Sequence, residues 1–181
     1  MRAILVGVVA IPIALLLQHA QARPAPHARG DLRLSTIASE LARRPVTIRC
    51  TGPRGQLLNA AGESGQVEFL DGKPGDVATI ERGVCETLHA YSRETKRAGA
   101  CLLPCAARPL DVAWSLNALA HESYHLAGIR NEALTQCHAL DAIPFVARRL
   151  GAAPAQALAL GAYARAQLPD RMPAEYFPRG C

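Results

Sequence analysis

The sequence predicts an α+β fold: a mostly helical single domain with a small antiparallel sheet, stabilised by disulfides. Apolar residues recur at helical spacing through most of the second half of the chain. Short segments rich in β-branched residues, separated by glycine-rich turns, lie between residues 46 and 81. All six cysteines follow an apolar N-terminal segment typical of exported proteins.

Residues 1–22 have the features of a secretory signal peptide. An arginine precedes an apolar run over residues 3–17, and Ala20-Gln21-Ala22 provides a cleavage site. The run is short for a membrane span, although an uncleaved anchor is the alternative. We therefore expect a Pro/Arg-rich linker over residues 23–30 and one domain over residues 31–181, secreted or held in the cell envelope. No other apolar run is long enough to span a membrane.

The even number of cysteines in an exported chain predicts disulfides. We expect Cys137 to pair with Cys181, because this bond would tie the C-terminal tail to the helix predicted over residues 131–150. Cys101 and Cys105 are an alternative redox or metal pair, but their CLLPC spacing is not C-x-x-C.

The net charge of +5 is spread along the chain, and only 4% of residues are aromatic. Stacking platforms for nucleic acid are therefore scarce, and we expect no nucleic-acid partner. The net positive charge fits a solvated surface that contacts anionic cell-wall or membrane material.

The predicted first helix begins after Asp31, a good N-cap residue, and ends before Pro45. Strands are predicted over residues 46–50, 66–70 and 76–81, and the segment Asp71–Gly75 is a dense turn signal between the last two. Thr51–Gly65 is predicted to be a loop. Further helices are predicted over residues 84–97, 110–127, 131–150 and 154–168. Gly151 closes the helix begun at Asn131, which Pro144 should kink or split.

The helix over residues 110–127 contains the segment His121-Glu122-Ser123-Tyr124-His125. Residues four apart share a helix face, so both imidazoles can reach one metal ion, and Glu122 can take a proton from the water that the metal binds. A lone histidine beneath an apolar face is usually a satisfied core residue, whereas two at this spacing with an adjacent glutamate indicate a metal site. None of the other histidines after residue 22 is expected to be a ligand: His138 should meet solvent or core, His89 lies on a separate amphipathic helix, and His27 lies in the linker.

A zinc site of this kind needs a third protein ligand, for which Asn131 and Glu132 are the candidates. On a continuous helix Glu132 would lie about 10 Å beyond His125 along the axis, which is out of reach. Gly128 can end the first helix and Asn131 can cap the next. This reversal would bring Glu132 back towards the metal.

These residues resemble the gluzincin group of zinc metallopeptidases, in which an H-E-x-x-H helix is followed by an Asn-Glu-Ala segment, here Asn131-Glu132-Ala133. The resemblance implies Zn²⁺ as cofactor, with His121, His125 and Glu132 as ligands and Glu122 as general base. The gap between His125 and Glu132 is shorter than is usual in that group. Gln136 stands where an aspartate commonly supports a ligand histidine, and it could accept from an imidazole N–H. The layout of the chain also resembles small secreted bacterial proteins.

The segment also resembles the metzincin pattern H-E-x-x-H-x-x-G-x-x-H/D. His121, His125 and Gly128 match it, but Asn131 stands at the third-ligand position. Met172 lies too far into the tail to provide the methionine turn of that group. Both resemblances cover residues 121–136 only.

The resemblance implies a secreted zinc-dependent hydrolase, a metallopeptidase acting on a peptide or protein. Candidate donors to the oxyanion are Tyr124, Tyr163 and Tyr176, of which Tyr124 is expected to be packed. An extended peptide could pair with a free edge of the sheet, best at Gln66–Leu70. The alternative is a non-catalytic exported domain that binds metal or cell-surface polymers and carries a degenerate site.

Overall fold

A computed structural model describes residues 30–51, 64–96, 103, 108–173, 176 and 181 of the protein. The predicted signal peptide, the linker up to residue 29, His27, Cys101 and Cys105, and most of the loop predicted over Thr51–Gly65 lie outside these residues. The elements in chain order are α1 (Leu32–Ala42), β1 (Thr47–Cys50), β2 (Gly65–Leu70), β3 (Lys73–Ile80), α2 (Arg82–Thr95), α3 (Pro109–Leu126), α4 (Glu132–Arg149), α5 (Pro154–Gln167) and a 3-10 turn (Pro169–Arg171). The predicted α+β class, mostly helical with one small sheet, is confirmed.

The sheet has the strand order β1-β3-β2 and is mixed. β2 and β3 form an antiparallel hairpin through Asp71 and Gly72, whose φ angles of 51° and 76° are those that an Asp-Gly hairpin turn adopts. β1 pairs with β3 in parallel. The expectation of an antiparallel sheet is therefore right for the hairpin and wrong for β1. Local residue patterns do not encode on which side of the hairpin, or in which direction, an earlier strand pairs.

β3 begins at Lys73, earlier than the predicted start at Asp76. The predicted turn extended to Gly75 because proline and glycine, here Pro74 and Gly75, are rare inside strands. The hairpin accommodates them with a shift in pairing register between Val67 and Phe69. Arg44 also holds this part of β3, donating to the Gly75 carbonyl at 2.5 Å.

α3 is the central helix of the molecule, in contact with every other helix and with β2 and β3. It is buried on nearly all sides, as expected for a helix that is apolar around most of its circumference. Burying each large side chain stabilises the fold by about 1.5–3 kcal/mol. The largest fully buried hydrophobic side chains of the described residues are Leu34, Ile48, Ile80, Leu88, Leu116, Leu119, Leu126, Ile143, Leu150, Leu160 and Leu168. The two histidines of the site are thus carried on a rigidly packed element.

α3 ends at Leu126, and Gly128 terminates it as predicted. This glycine has a φ of 101°, and the N–H groups of Gly128 and Ile129 bond back to the carbonyls of His125 and Tyr124 at 2.9 and 3.2 Å. These bonds form a Schellman motif, which satisfies the last carbonyls of the helix. Three residues later the Asn131 side chain accepts from the Leu134 N–H at 2.8 Å and begins α4.

α4 continues through Pro144 to Arg149, so the predicted split there does not occur. α5 packs closely at this point, since a Cβ atom on Gly161 would lie 2.7 Å from Cγ of Pro144. The absence of a side chain at Gly161 makes room for the proline ring. Gly151 ends α4 with a φ of 112°, as predicted.

Two disulfides are present among the described residues. Cys50–Cys85 joins β1 to α2, and Cys137–Cys181 joins α4 to the last residue of the chain. The predicted Cys137–Cys181 pairing is confirmed. Disulfides of this kind indicate an oxidising environment outside the cytoplasm. Within the described part of the chain, no helix combines the length and apolar character needed to cross a membrane.

Candidate metal centre

Three predicted ligands converge at the junction of α3 and α4. The Nε2 atoms of His121 and His125 lie 2.9 Å apart. Oε2 of Glu132, the first residue of α4, lies 3.0 Å from His121 Nε2 and 3.2 Å from His125 Nε2. The short connection between the helices therefore brings a carboxylate to the same point as the two imidazoles, and this group could hold a metal ion.

The outer nitrogen of each imidazole is bound to a protein acceptor. His125 Nδ1 donates to the Ile129 carbonyl at 2.7 Å, and His121 Nδ1 lies 3.1 Å from Oε1 of Gln136. A carbonyl oxygen can only accept, so both rings carry their hydrogen on Nδ1. The Nε2 lone pairs therefore point inward, in the tautomer that a metal-binding histidine requires.

Three acceptor atoms thus face one another across about 3 Å, an arrangement that repels unless a cation or a proton lies between them. Burial, and next the neighbouring His125, lower the pKa of His121, which disfavours the proton. In a tetrahedral zinc site with ligand bonds near 2.0 Å, neighbouring ligand atoms are separated by about 3.3 Å. The observed separations of 2.9, 3.0 and 3.2 Å are close to this value.

Gln136 is fully buried behind His121. Its Oε1 accepts from Nδ2 of Asn117 at 3.2 Å, and its Nε2 donates to Oδ1 of Asn117 at 3.0 Å. The sequence-based expectation that Gln136 accepts from an imidazole is confirmed. Asn117 was missed, although it lies four residues before His121, the same interval that links the two histidines. This spacing of a polar residue on a buried helix was the available signal.

Glu122 lies beside the ligands and lines the same cleft. Its side chain is largely buried, with 6% of its surface exposed. β2 passes directly against it: a Cβ atom on Gly65 would lie 2.5 Å from Cγ of Glu122 and 2.8 Å from its Oε1. Glycine at the start of β2 therefore makes room for the Glu122 carboxylate next to the metal centre.

The centre opens into a cleft of about 490 Å³ between α3, β2 and the C-terminal tail. β2 is an edge strand of the sheet and forms one wall of the cleft, which is the edge that the sequence singled out at Gln66–Leu70. At one end Trp114 donates its indole N–H to Oγ of Ser64 at 2.7 Å. At the other end Phe69 packs edge-on against His125, with ring centroids 6.1 Å apart. The cleft therefore has apolar ends on either side of a polar centre.

No family model, curated protein or solved structure matches this chain.

The tail contributes three residues to the cleft, of which only Tyr176 is a candidate from the sequence. Met172 and Pro173 line the cleft, as does Tyr176, whose ring centroid lies 5.9 Å from that of His121. The sequence places Met172 too far into the tail for the methionine turn of the metzincin pattern, and the structure brings it to the wall of the cleft. Because Cys181 is bonded to Cys137 of α4, the tail returns to the helix that carries Glu132.

The other candidates lie elsewhere. Asn131, the third-ligand position of the metzincin pattern, caps α4 through its side chain and does not line the cleft. Tyr124 packs beside His138, with centroids 5.2 Å apart, and burial raises its pKa. Tyr163 packs against the core outside the cleft, and His89 pairs with Asp31 at 2.6 Å. Of the three candidate tyrosines, only Tyr176 lines the cleft.

Proposed function

We propose that the protein is a secreted zinc-dependent hydrolase, most specifically a metallopeptidase. One observation carries the proposal: three inward-facing acceptor atoms form a triangle of tetrahedral dimensions. Beside this triangle Glu122 lines an open cleft. A purely structural zinc site is usually closed by four protein ligands, whereas three ligands beside a cleft leave a position for water or substrate.

In this proposal His121, His125 and Glu132 hold the zinc ion, and Gln136 and the Ile129 carbonyl fix the orientation of the two imidazoles. Zinc would supply a Lewis acid that lowers the pKa of water and polarises a carbonyl group. Glu122 is the general base, because its carboxylate lines the cleft adjacent to the ligands and can accept a proton from the attacking water.

The cleft supports an extended peptide as substrate. The outer edge of β2 can pair with a peptide backbone, and residues from Gly65 to Phe69 run alongside the centre. Tyr176, on the His121 side, is the tyrosine best placed to donate to the oxyanion that develops during hydrolysis. These features favour peptide hydrolysis over a purely structural role for the metal.

The first test measures metal. The purified, oxidised protein should contain about one zinc ion per chain, from the three-ligand count. Glu132→Ala should release it, whereas Glu68→Ala, on the exposed face of β2, should retain it. Zinc that stays bound at wild-type affinity in Glu132→Ala would rule out Glu132 as the third ligand.

The second test measures hydrolysis of a peptide library by the zinc-loaded protein. Glu122→Gln should keep its zinc and lose activity by at least about a hundredfold, the scale of general-base catalysis. Glu68→Gln is the matched control, because it makes the same chemical change outside the cleft. Unchanged hydrolysis by Glu122→Gln would rule out its role as base. A zinc-loaded wild-type protein that cleaves no peptide would instead favour the non-catalytic, metal-binding alternative.

A further inference from the structure

Arg130 lies in the connection between α3 and α4, two residues before the proposed ligand Glu132, and lines the cleft. Its guanidinium carbon lies over the ring of Phe69, 5.5 Å from the centroid. Phe69 in turn packs edge-on against His125. A chain of ring contacts therefore fixes a cation near the metal centre.

Arg130 forms no ion pair within the described part of the protein. By contrast, Arg44, Arg149 and Arg165 are each paired with a carboxylate. Stacking on Phe69 uses the face of the guanidinium and leaves the N–H donors at its edge available. Arg130 is thus a held cation whose hydrogen-bonding edge can meet a ligand in the cleft.

The two ends of the cleft differ in charge. Gly65 of β2 lies against Glu122, and Phe69 lies against His125. Four residues of strand separate these two positions, or about 13 Å at the usual rise. The carboxylates of Glu122 and Glu132 occupy the centre, and Arg130 stands at the Phe69 end. A substrate that crosses the centre would meet the guanidinium on one side only.

We propose that Arg130 binds a carboxylate of the substrate, so that the preferred substrates are peptides with a carboxylate within about two residues of the cleaved bond, the reach set by the strand spacing. This inference rests on the proposed function. The carboxylate could belong to an acidic side chain or to a free C-terminus, and both present the planar pair of oxygens that a guanidinium binds in a bidentate manner.

The experiment uses zinc-loaded protein and matched peptides. One series places Glu or Gln at each position around the cleaved bond, and a second series compares a free C-terminal acid with its amide. We expect kcat/KM to be about tenfold to a hundredfold higher for the preferred carboxylate peptide, as for a charge-assisted hydrogen bond. The series that shows the preference identifies the source of the carboxylate.

Arg130→Ala should bring the kcat/KM ratio of each acidic peptide to its neutral partner down to about one, with zinc content unchanged, because the guanidinium acts on the charged group of the substrate. Arg130→Lys should restore part of the preference, since the charge returns without the planar fork. Arg93→Glu, on the exposed surface of α2 away from the cleft, is the control and should preserve the preference.

Two negative outcomes are distinguishable. If the protein cleaves peptides but the acid and neutral members of every pair react equally, or if Arg130→Ala retains the preference, this inference is overturned and the proposed function stands. If zinc-loaded protein cleaves none of the peptides, the proposed function fails and the inference fails with it.

Discussion

Nδ1 of His121 lies 3.1 Å from Oε1 of Gln136, a side chain with no exposed surface. Gln136 is itself held by two amide hydrogen bonds with Asn117. The orientation of the imidazole is therefore determined by a residue one turn beyond Glu132 on α4. These hydrogen bonds link α4 to α3 on the side of His121 that faces away from Glu132.

Gln136→Met should weaken zinc binding by about tenfold to a hundredfold, the usual effect of losing the partner that orients a ligand histidine. Methionine is close to glutamine in volume, so the effect should reflect the lost acceptor and the unpaired amide of Asn117. Zinc affinity is measured by competition with a chelating indicator, and circular dichroism checks the fold. The double variant Asn117→Leu/Gln136→Met is the control for the unpaired amide. Wild-type zinc affinity in both variants would contradict a role for Gln136.

Gly128→Ala should destabilise the protein by about 1–2 kcal/mol, because an alanine must adopt a left-handed backbone conformation at a φ of 101°. The added methyl group would meet no atom within 4 Å, so the cost is conformational. Relief of this strain moves Glu132 relative to the histidines, and zinc affinity should fall as well.

Gly151→Ala is the matched comparison for Gly128→Ala. It has a similar φ of 112°, but its added methyl group would lie 2.8 Å from Oγ1 of Thr95. We expect a larger loss of stability in chemical denaturation than for Gly128→Ala, with zinc affinity unchanged. Equal zinc affinities in the two variants would contradict the role of the Gly128 turn in placing Glu132.

Gly65→Ala should impair catalysis and spare zinc binding. The added methyl group would lie 2.5 Å from Cγ of Glu122, so the proposed base must move, and the three atoms nearest to the methyl group all belong to Glu122 rather than to a proposed ligand. A displacement of this order should lower kcat by about a hundredfold. Gly75→Ala, on the neighbouring strand, makes only an ordinary contact of 3.5 Å and should retain activity. Full activity of Gly65→Ala would contradict the prediction that hydrolysis depends on the position of the Glu122 carboxylate beside Gly65.

Removal of either disulfide should lower the stability of the protein by a similar amount, whereas only one removal should change its activity. Their sequence separations of 35 and 44 are similar, so removal of either bond by paired Cys→Ala changes should cost roughly 4 kcal/mol. Only loss of Cys137–Cys181 releases the tail that brings Tyr176 to the cleft. We therefore expect similar denaturation midpoints for the two variants, but a raised KM or lowered kcat for the Cys137/Cys181 variant alone. Equal kinetics would show that the tail is not needed for substrate binding.

The features that the sequence predicted correctly are those encoded locally. The interval between His121 and His125, the αL glycine at Gly128 and the cap at Asn131 each depend on a few adjacent residues. Together they required the chain to reverse before Glu132, and the structure has this reversal. A helix length and its caps can be read from spacing because each backbone bond spans only a few residues.

The features that were missed depend on contacts between distant segments. The parallel pairing of β1 with β3, the stacking of Arg130 on Phe69 and the approach of Met172 to the cleft each join parts of the chain that no local pattern relates. The start of β3 was predicted too late because proline is rare inside strands. Here the hairpin accommodates Pro74 through a shift in its pairing register.

The close sequence spacing of the three proposed ligands, all between residues 121 and 132, has a consequence for folding kinetics. The entropy lost in closing so short a loop is small, and contacts between neighbouring segments form earliest. The helical hairpin of α3 and α4 can therefore gather its ligands before the sheet is complete. Zinc present during folding would act on this early hairpin, accelerating its formation more than that of the late, non-local β1–β3 pairing.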